Sequence, residues 1–163
     1  MRKIVVFETE RMMTMRYLLS VFLILAVSTS VFGATGSLVT YQVDGKSYEG
    51  YFINPAKQSS LILLIHDWDG LTDYEIKRAN MLSELGYTVF AADLFGAGVR
   101  PTKVTDKRQH TGELYKDRAK MRALMNAALD TARKEGANVE NAVAFGYCFG
   151  GAAVLELARS GAD

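Results

Sequence analysis

The architecture of this chain follows from one segment, Asn141-Ala142-Val143-Ala144-Phe145-Gly146-Tyr147-Cys148-Phe149-Gly150-Gly151, and from the apolar run over 152–158 that comes after it. Small and β-branched residues stop at a glycine, and an apolar run resumes after a second glycine. This order predicts a strand, a sharp turn and a helix. Cys148 stands in the turn, where the commoner G-x-S-x-G pattern has serine. The segment therefore predicts a nucleophile elbow that carries a cysteine.

The two glycines of the elbow, Gly146 and Gly150, have a steric role. We expect a Cβ at either position to collide with the neighbouring strand or helix. The turn pushes the Cys148 side chain out above the sheet, at the N-terminus of a helix that begins near Phe149, where free N–H groups favour an anion. The thiolate is the reactive form of cysteine. The alternative interpretation is a buried structural cysteine in a glycine-rich turn.

Three blocks of sequence carry a resemblance to a known family. They are Gly-Tyr-Cys-Phe-Gly-Gly at 146–151, Leu-Ile-His-Asp-Trp-Asp-Gly-Leu at 64–71 and Gly-Tyr-Thr-Val-Phe-Ala-Ala-Asp-Leu at 86–94. Together and in this order, they resemble the dienelactone hydrolase family, a branch of the α/β-hydrolases. The resemblance implies a mostly parallel sheet flanked by helices, with an N-terminal antiparallel hairpin. It also implies hydrolysis of a carboxylic ester or lactone bond in a small-molecule substrate, without a metal or an organic cofactor.

The resemblance also implies roles for residues near the elbow. Cys148 becomes the catalytic nucleophile, and the backbone N–H groups of Trp68 and Phe149 form the oxyanion hole. Asp67 stands where the best-known members carry a glutamate that hydrogen-bonds the resting thiol, so it becomes the thiol-modulating carboxylate. Asp93 matches an aspartate that is usually structural.

Neither histidine lies where the order of residues in an α/β-hydrolase places the histidine of a catalytic triad. We interpret His66 as a packing group in the loop of the oxyanion hole, and His110 as a solvated helix residue. In α/β-hydrolases the order along the chain is nucleophile, acid and histidine. Residues 149–163 follow Cys148, and they contain Asp163 but no histidine. We therefore interpret the chain as the N-terminal part of a C-terminally truncated domain whose triad Asp and His lie downstream.

Composition narrows the class of protein further. With 163 residues, a formal net charge of +1 and 49% hydrophobic residues, the chain fits one globular domain. Its basic residues are dispersed among acidic ones, which indicates solvated helix faces and argues against nucleic-acid binding. The single cysteine excludes an intramolecular disulfide and a Cys-rich metal site.

The N-terminal region has the layout of a secretory signal peptide. Met15-Arg16 precedes the uncharged apolar run Tyr17–Val27, and the small residues of Ser28–Gly33 follow. The apolar run is short for a membrane span, which needs about 20 residues. The layout predicts a signal peptide over 1–33 and export to the periplasm or the medium.

Two details of the N-terminal region stay open. Residues 1–14 are interpreted as an upstream extension, with Met15 as the alternative start. Cleavage after Gly33 or Ala34 leaves an α/β-hydrolase part over 34–163 with no stable membrane association. An uncleaved membrane anchor is the alternative.

The first half of the remaining sequence predicts strands. Leu38–Val43 and Ser47–Ile53 are β-rich runs joined by Asp44-Gly45, a pair that favours a type I′ hairpin turn because both central residues need positive φ. Leu61–Ile65 is apolar at every position, which is typical of a parallel strand that is covered on both faces.

Strands and helices then alternate. Thr72 to Glu75 form a capping box that starts a helix, and Tyr87–Ala91 predicts the next buried strand. Asp93–Asp106 predicts a long connection at the ligand edge of the sheet. Apolar residues at helical spacing predict one amphipathic helix over Leu114–Ala132. The alternation places the chain in the α/β class.

Two functions from different classes fit these features. The first is an exported ester or lactone hydrolase with a cysteine nucleophile. The second is a non-catalytic exported binding module that retains the α/β-hydrolase fold, because a fold does not fix a function. The sequence downstream of residue 163 discriminates between them, since an enzyme requires an Asp and a His there.

Overall fold

The computed structural model describes residues 34–55 and 59–161, and in them five strands form one mixed sheet flanked by four helices. The predicted signal peptide lies outside the described residues. No described helix is both long and apolar enough to cross a membrane. The strands are β1 (Ser37–Val43), β2 (Lys46–Ile53), β3 (Ser60–Ile65), β4 (Thr88–Ala92) and β5 (Asn138–Gly146), and the helices are α1 (Asp73–Glu84), α2 (Val104–Lys116), α3 (Arg118–Lys134) and α4 (Phe149–Arg159).

The strand order is β1-β2-β4-β3-β5. β1 pairs with β2, and β2 with β4, in antiparallel orientation, whereas β3 pairs in parallel with both β4 and β5. The turn of the first hairpin has φ of 49° at Asp44 and 74° at Gly45, the positive values that the sequence predicted. The predicted hairpin and the α/β class are confirmed.

β3 is the centre of the core. Leu61, Leu63 and Ile65 point into one apolar cluster, and Ile62 and Leu64 point into another on the opposite face of the sheet. Residues of α3 and α4 cover the first face, and residues of α1 cover the second. Each such side chain contributes about 1.5–3 kcal/mol when it is fully buried. The unbroken apolar run of this strand is therefore explained by cover on both sides.

Both hydrogen bonds of the capping box are present at the start of α1. The Thr72 hydroxyl accepts a hydrogen bond from the Tyr74 N–H at 3.3 Å, and the Thr72 N–H donates to Oε2 of Glu75 at 2.8 Å. Two N–H groups that the first helical turn leaves without helical acceptors are thereby satisfied. The predicted start of this helix is confirmed.

The prediction of a single helix over 114–132 is wrong, and the predicted connection 93–106 is too long. The structure has two helices there, because α2 already begins at Val104 and ends before Asp117. The Asp117 carboxylate accepts the Lys120 N–H at 2.9 Å and so starts α3 as an N-cap. Apolar spacing does not reveal this break, because both helices pack on the same core.

Candidate active site

The elbow forms between β5 and α4. β5 ends at Gly146, α4 begins at Phe149, and Cys148 between them has φ 49° and ψ −109°. A residue other than glycine in such a conformation costs on the order of 1–3 kcal/mol and persists only where its surroundings impose it. The Cys148 side chain is exposed. The predicted strand, turn and helix are confirmed, and the interpretation of Cys148 as a buried core residue is wrong.

Close backbone contacts explain both elbow glycines. A Cβ at Gly146 would lie 2.5 Å from the backbone carbon of Gly150. A Cβ at Gly150 would lie 2.5 Å from the carbonyl oxygens of Ile65 and His66. The first turn of α4 therefore packs directly on the carboxyl end of β3, with no room for a side chain.

The same edge of the sheet holds the two predicted oxyanion-hole residues. Trp68 follows β3 and Phe149 opens α4, and these elements are adjacent because β3 and β5 pair in parallel. The Tyr147 N–H donates to the Ile65 carbonyl at 3.3 Å and holds the elbow against β3. Within the described ranges, the N–H groups of Trp68 and Phe149 have no hydrogen-bond acceptor. Both are therefore free to donate to an anionic oxygen of a bound molecule.

Asp67 uses its carboxylate within its own loop. Oδ1 accepts the Asp69 N–H at 2.8 Å, which forms an Asx turn. No hydrogen bond joins Asp67 to Cys148 in the part of the chain that the structure describes. The predicted role of Asp67 as the thiol-modulating carboxylate stays a prediction.

His66 is fully buried beneath the elbow and acts as a packing group. Its Nε2 accepts the Leu94 N–H at 3.0 Å, so the ring proton resides on Nδ1, which donates to the Asp67 carbonyl at 2.5 Å. Burial lowers the pKa of His66 to about 4, although the bond to Asp67 acts in the opposite direction. A neutral, buried imidazole with both nitrogens engaged is not available as a catalytic base.

Asp93 shapes the start of the connection after β4. Its two carboxylate oxygens accept the N–H groups of Phe95 at 2.8 Å and Gly96 at 2.9 Å. The side chain is fully buried, and burial raises its pKa in spite of these hydrogen bonds. These contacts agree with the interpretation of Asp93 as structural.

Sequence reasoning missed the contribution of α2 to the site. The ring of Tyr115 stands edge-on to Phe149 with centroids 5.6 Å apart. Burial, and then the electrostatic effect of Cys148, raise the pKa of Tyr115. His110 is half-buried and stacks on Phe95 at 5.1 Å, so the interpretation of a solvated residue is wrong. No pattern in the sequence indicates these contacts.

Lys107 is a second residue of α2 that reaches the site. Its ammonium group forms an ion pair with Asp69 and lies 5.2 Å from the centroid of the Trp68 ring. On the other side of the elbow, Nε of Arg78 donates to the Tyr147 hydroxyl at 3.0 Å. Side chains of α1 and α2 therefore contact the elbow residue Tyr147 and the loop after β3, respectively.

The parallel β3, β4 and β5, the elbow and the oxyanion loop together define an α/β-hydrolase fold. The family model described as "Dienelactone hydrolase family" matches residues 48–163. The chain belongs to the dienelactone hydrolase family.

Solved structures agree with this assignment. The protein named m3DLH is 33% identical, with a TM-score of 0.76. A dienelactone hydrolase-like promiscuous phosphotriesterase, P91 from metagenomic libraries, is 30% identical, with a TM-score of 0.74. Each match covers 80% of this chain and 56% of the other, so the chain spans little more than half the length of these proteins.

A third structure supports the fold alone. The dienelactone hydrolase from Anabaena variabilis is 18% identical, with a TM-score of 0.58, and the match covers 78% of this chain and 58% of that one. No curated protein matches the sequence.

Proposed function

We propose that the intact protein hydrolyses a carboxylic ester or lactone and that Cys148 is its nucleophile. The observation that carries this proposal is the strained backbone of Cys148, which leaves the thiol exposed next to the free Phe149 N–H, at the edge of the sheet that also holds the free Trp68 N–H. Strain of this kind concentrates at functional sites. Membership of a hydrolase family supports the same conclusion.

The geometry fits acyl transfer through a thioester. The Cys148 thiolate attacks the carbonyl carbon, and the Trp68 and Phe149 N–H groups stabilise the oxyanion that forms. The carbon–oxygen bond of the ester then breaks, and the leaving oxygen takes a proton from a histidine oriented by an aspartate. Water hydrolyses the thioester and regenerates the thiolate. In this proposal the histidine and the aspartate follow residue 163.

We also propose that the protein is exported. The support is the signal-like layout of residues 1–33, which precede the family match at 48–163. In a secreting bacterial host, we expect a mature N-terminus near Ala34. Recovery from the membrane fraction of a chain that still contains Tyr17, detected by mass spectrometry, would instead indicate an anchor.

The test of the proposed activity uses the protein from the complete reading frame. Hydrolysis of p-nitrophenyl esters and of a small lactone is compared between the wild type and Cys148→Ala. We expect the variant to lose at least about a thousandfold in kcat, because subtilisin loses on the order of a millionfold when its nucleophile is removed. Equal rates in both proteins would refute the role of Cys148. A folded wild type without turnover on any substrate, and without a downstream Asp and His, would favour the binding module.

A further inference from the structure

Lys107 connects α2 to the loop that carries one of the two free N–H groups. Its side chain is mostly buried, with 14% of its surface exposed, although lysine is among the residue types most often found in solvent. The ammonium group pairs with the Asp69 carboxylate and lies over the Trp68 ring at 5.2 Å. It therefore contacts both residues that follow Asp67 in the loop.

The loop has other restraints besides Lys107. Nδ1 of His66 donates to the Asp67 carbonyl at 2.5 Å and so holds the Asp67–Trp68 peptide directly. Before Trp68, the Asp67 carboxylate closes the Asx turn onto the Asp69 N–H. After it, Gly70 has φ of 87°, and a Cβ there would lie 2.7 Å from the Val99 carbonyl oxygen. From outside the loop, the ammonium group of Lys107 contacts the face of the Trp68 ring. The Trp68 side chain is therefore contacted from α2, whereas the Asp67–Trp68 peptide is held by the hydrogen bond from His66.

The same helix contacts the second donor. Tyr115 packs edge-on against Phe149, so that α2 contacts one oxyanion-hole residue near its N-terminus and the other near its C-terminus. An oxyanion hole needs both N–H groups at about 2.7–3.1 Å from one oxygen position. A displacement of about 1 Å costs on the order of a hundredfold in rate.

We propose that Lys107 is a positioning residue, which holds the Trp68 N–H where the oxyanion develops, by pairing with Asp69 and by a cation–π contact with the indole. This inference rests on the proposed ester hydrolysis. Lys107 does not touch the reacting atoms. Its role is to keep the loop after β3 in a fixed position relative to the elbow.

The experiment uses the full-length enzyme and compares Lys107→Met with Lys107→Arg. Methionine keeps an apolar stem but loses the charge, whereas arginine keeps both the ion pair and the cation–π contact. Lys103→Met is the matched control, since Lys103 is the N-cap of α2, about one helical turn before Lys107, and its side chain is exposed. Asp69→Asn, which removes the ion pair and leaves Lys107 in place, is the second test variant.

The readout is the ratio of kcat for an ester to kcat for the matching thionoester. The developing sulfur anion of a thionoester is a weak hydrogen-bond acceptor, so its hydrolysis gains little from the oxyanion hole. We expect Lys107→Met to lower kcat for the ester by about 10- to 100-fold, with KM changed less than about twofold. The thionoester rate falls much less, so the ratio of the ester rate to the thionoester rate also falls. Asp69→Asn shifts the ratio in the same direction, while Lys107→Arg and Lys103→Met keep it.

Alkylation of Cys148 by iodoacetamide separates this role from a general loss of structure. No oxyanion forms in that reaction, so Lys107→Met is expected to alkylate at the wild-type rate. Equal losses for ester and thionoester, or no loss at all, would overturn the proposal, as would slowed alkylation. Failure of the proposed function gives a different result, because the wild type itself then lacks Cys148-dependent ester turnover.

Discussion

Nε2 of His66 accepts the backbone N–H of Leu94 at 3.0 Å and so joins the carboxyl ends of β3 and β4 beneath the elbow. The bond requires a neutral imidazole, and burial lowers the pKa of His66 to about 4. In the unfolded chain the pKa is about 6.5. Between these two values the unfolded state binds a proton that the folded state does not, so acid favours unfolding.

This difference predicts a pH dependence of stability in the intact protein. From pH 7 to pH 4, His66 lowers the free energy of unfolding by about 3 kcal/mol, since each pKa unit is worth about 1.4 kcal/mol. His66→Gln retains an acceptor for the Leu94 N–H without this titration. Urea unfolding of both proteins at several pH values gives the wild-type-minus-variant difference, in which the carboxyl groups remote from His66 cancel. The Asp93 carboxyl, 3.9 Å from Nε2 of His66, contributes to the difference together with the imidazole. A difference that does not change with pH would contradict the burial of a neutral imidazole.

The second prediction concerns the contact between α4 and β3. Gly150→Ala places a Cβ 2.5 Å from the Ile65 and His66 carbonyl oxygens, which are backbone atoms with little freedom to move. We expect the intact protein to lose about 3 kcal/mol of stability or more, the upper range for overpacking. Thermal and urea unfolding measure the change.

Gly112→Ala is the control for this substitution. Gly112 lies within α2, and apart from the backbone of its own helix and its chain neighbours nothing lies within 4 Å of the position of an added Cβ. Alanine there is expected to stabilise the protein by about 0.5–1 kcal/mol, because glycine is a poor helix former. Similar stability of the Gly150→Ala and Gly112→Ala proteins would mean that the elbow does not pack on β3 as described.

The third prediction concerns the 163-residue chain when it is expressed by itself. In the described sheet, β5 pairs with β3 on one side only, and Val143 in its middle is 60% exposed. An apolar edge strand with unpaired N–H and C=O groups promotes association with other chains. Size-exclusion chromatography is expected to show oligomers or aggregates. A soluble monomer that unfolds cooperatively would be the contrary result.

The sequence predicted those features that depend on local chemistry. The hairpin turn at Asp44-Gly45 and the capping box at Thr72 are specified by a few adjacent residues, and the structure contains both. The elbow was predictable for the same reason, since the spacing of Gly146 and Gly150 around the turn leaves few alternatives.

Features that depend on tertiary contacts were not predictable. The break at Asp117 is hidden because the apolar stripe continues from α2 into α3. The contacts of Lys107 with Trp68 and of His110 with Phe95 depend on the path of the chain between β4 and α2. No spacing rule relates residues separated by such a connection. From the sequence alone, Lys107 and His110 are therefore expected to be solvated.

The most direct test of Cys148 as the nucleophile is mass spectrometry of the full-length protein, acid-quenched after it is mixed with p-nitrophenyl acetate. We predict an acetyl group on the peptide that contains Cys148, formed together with a burst of p-nitrophenol, because a thioester intermediate precedes hydrolysis. Protein whose Cys148 has been alkylated beforehand is expected to show neither. An acetyl group on a different residue, or full hydrolysis by the alkylated protein, would contradict the account.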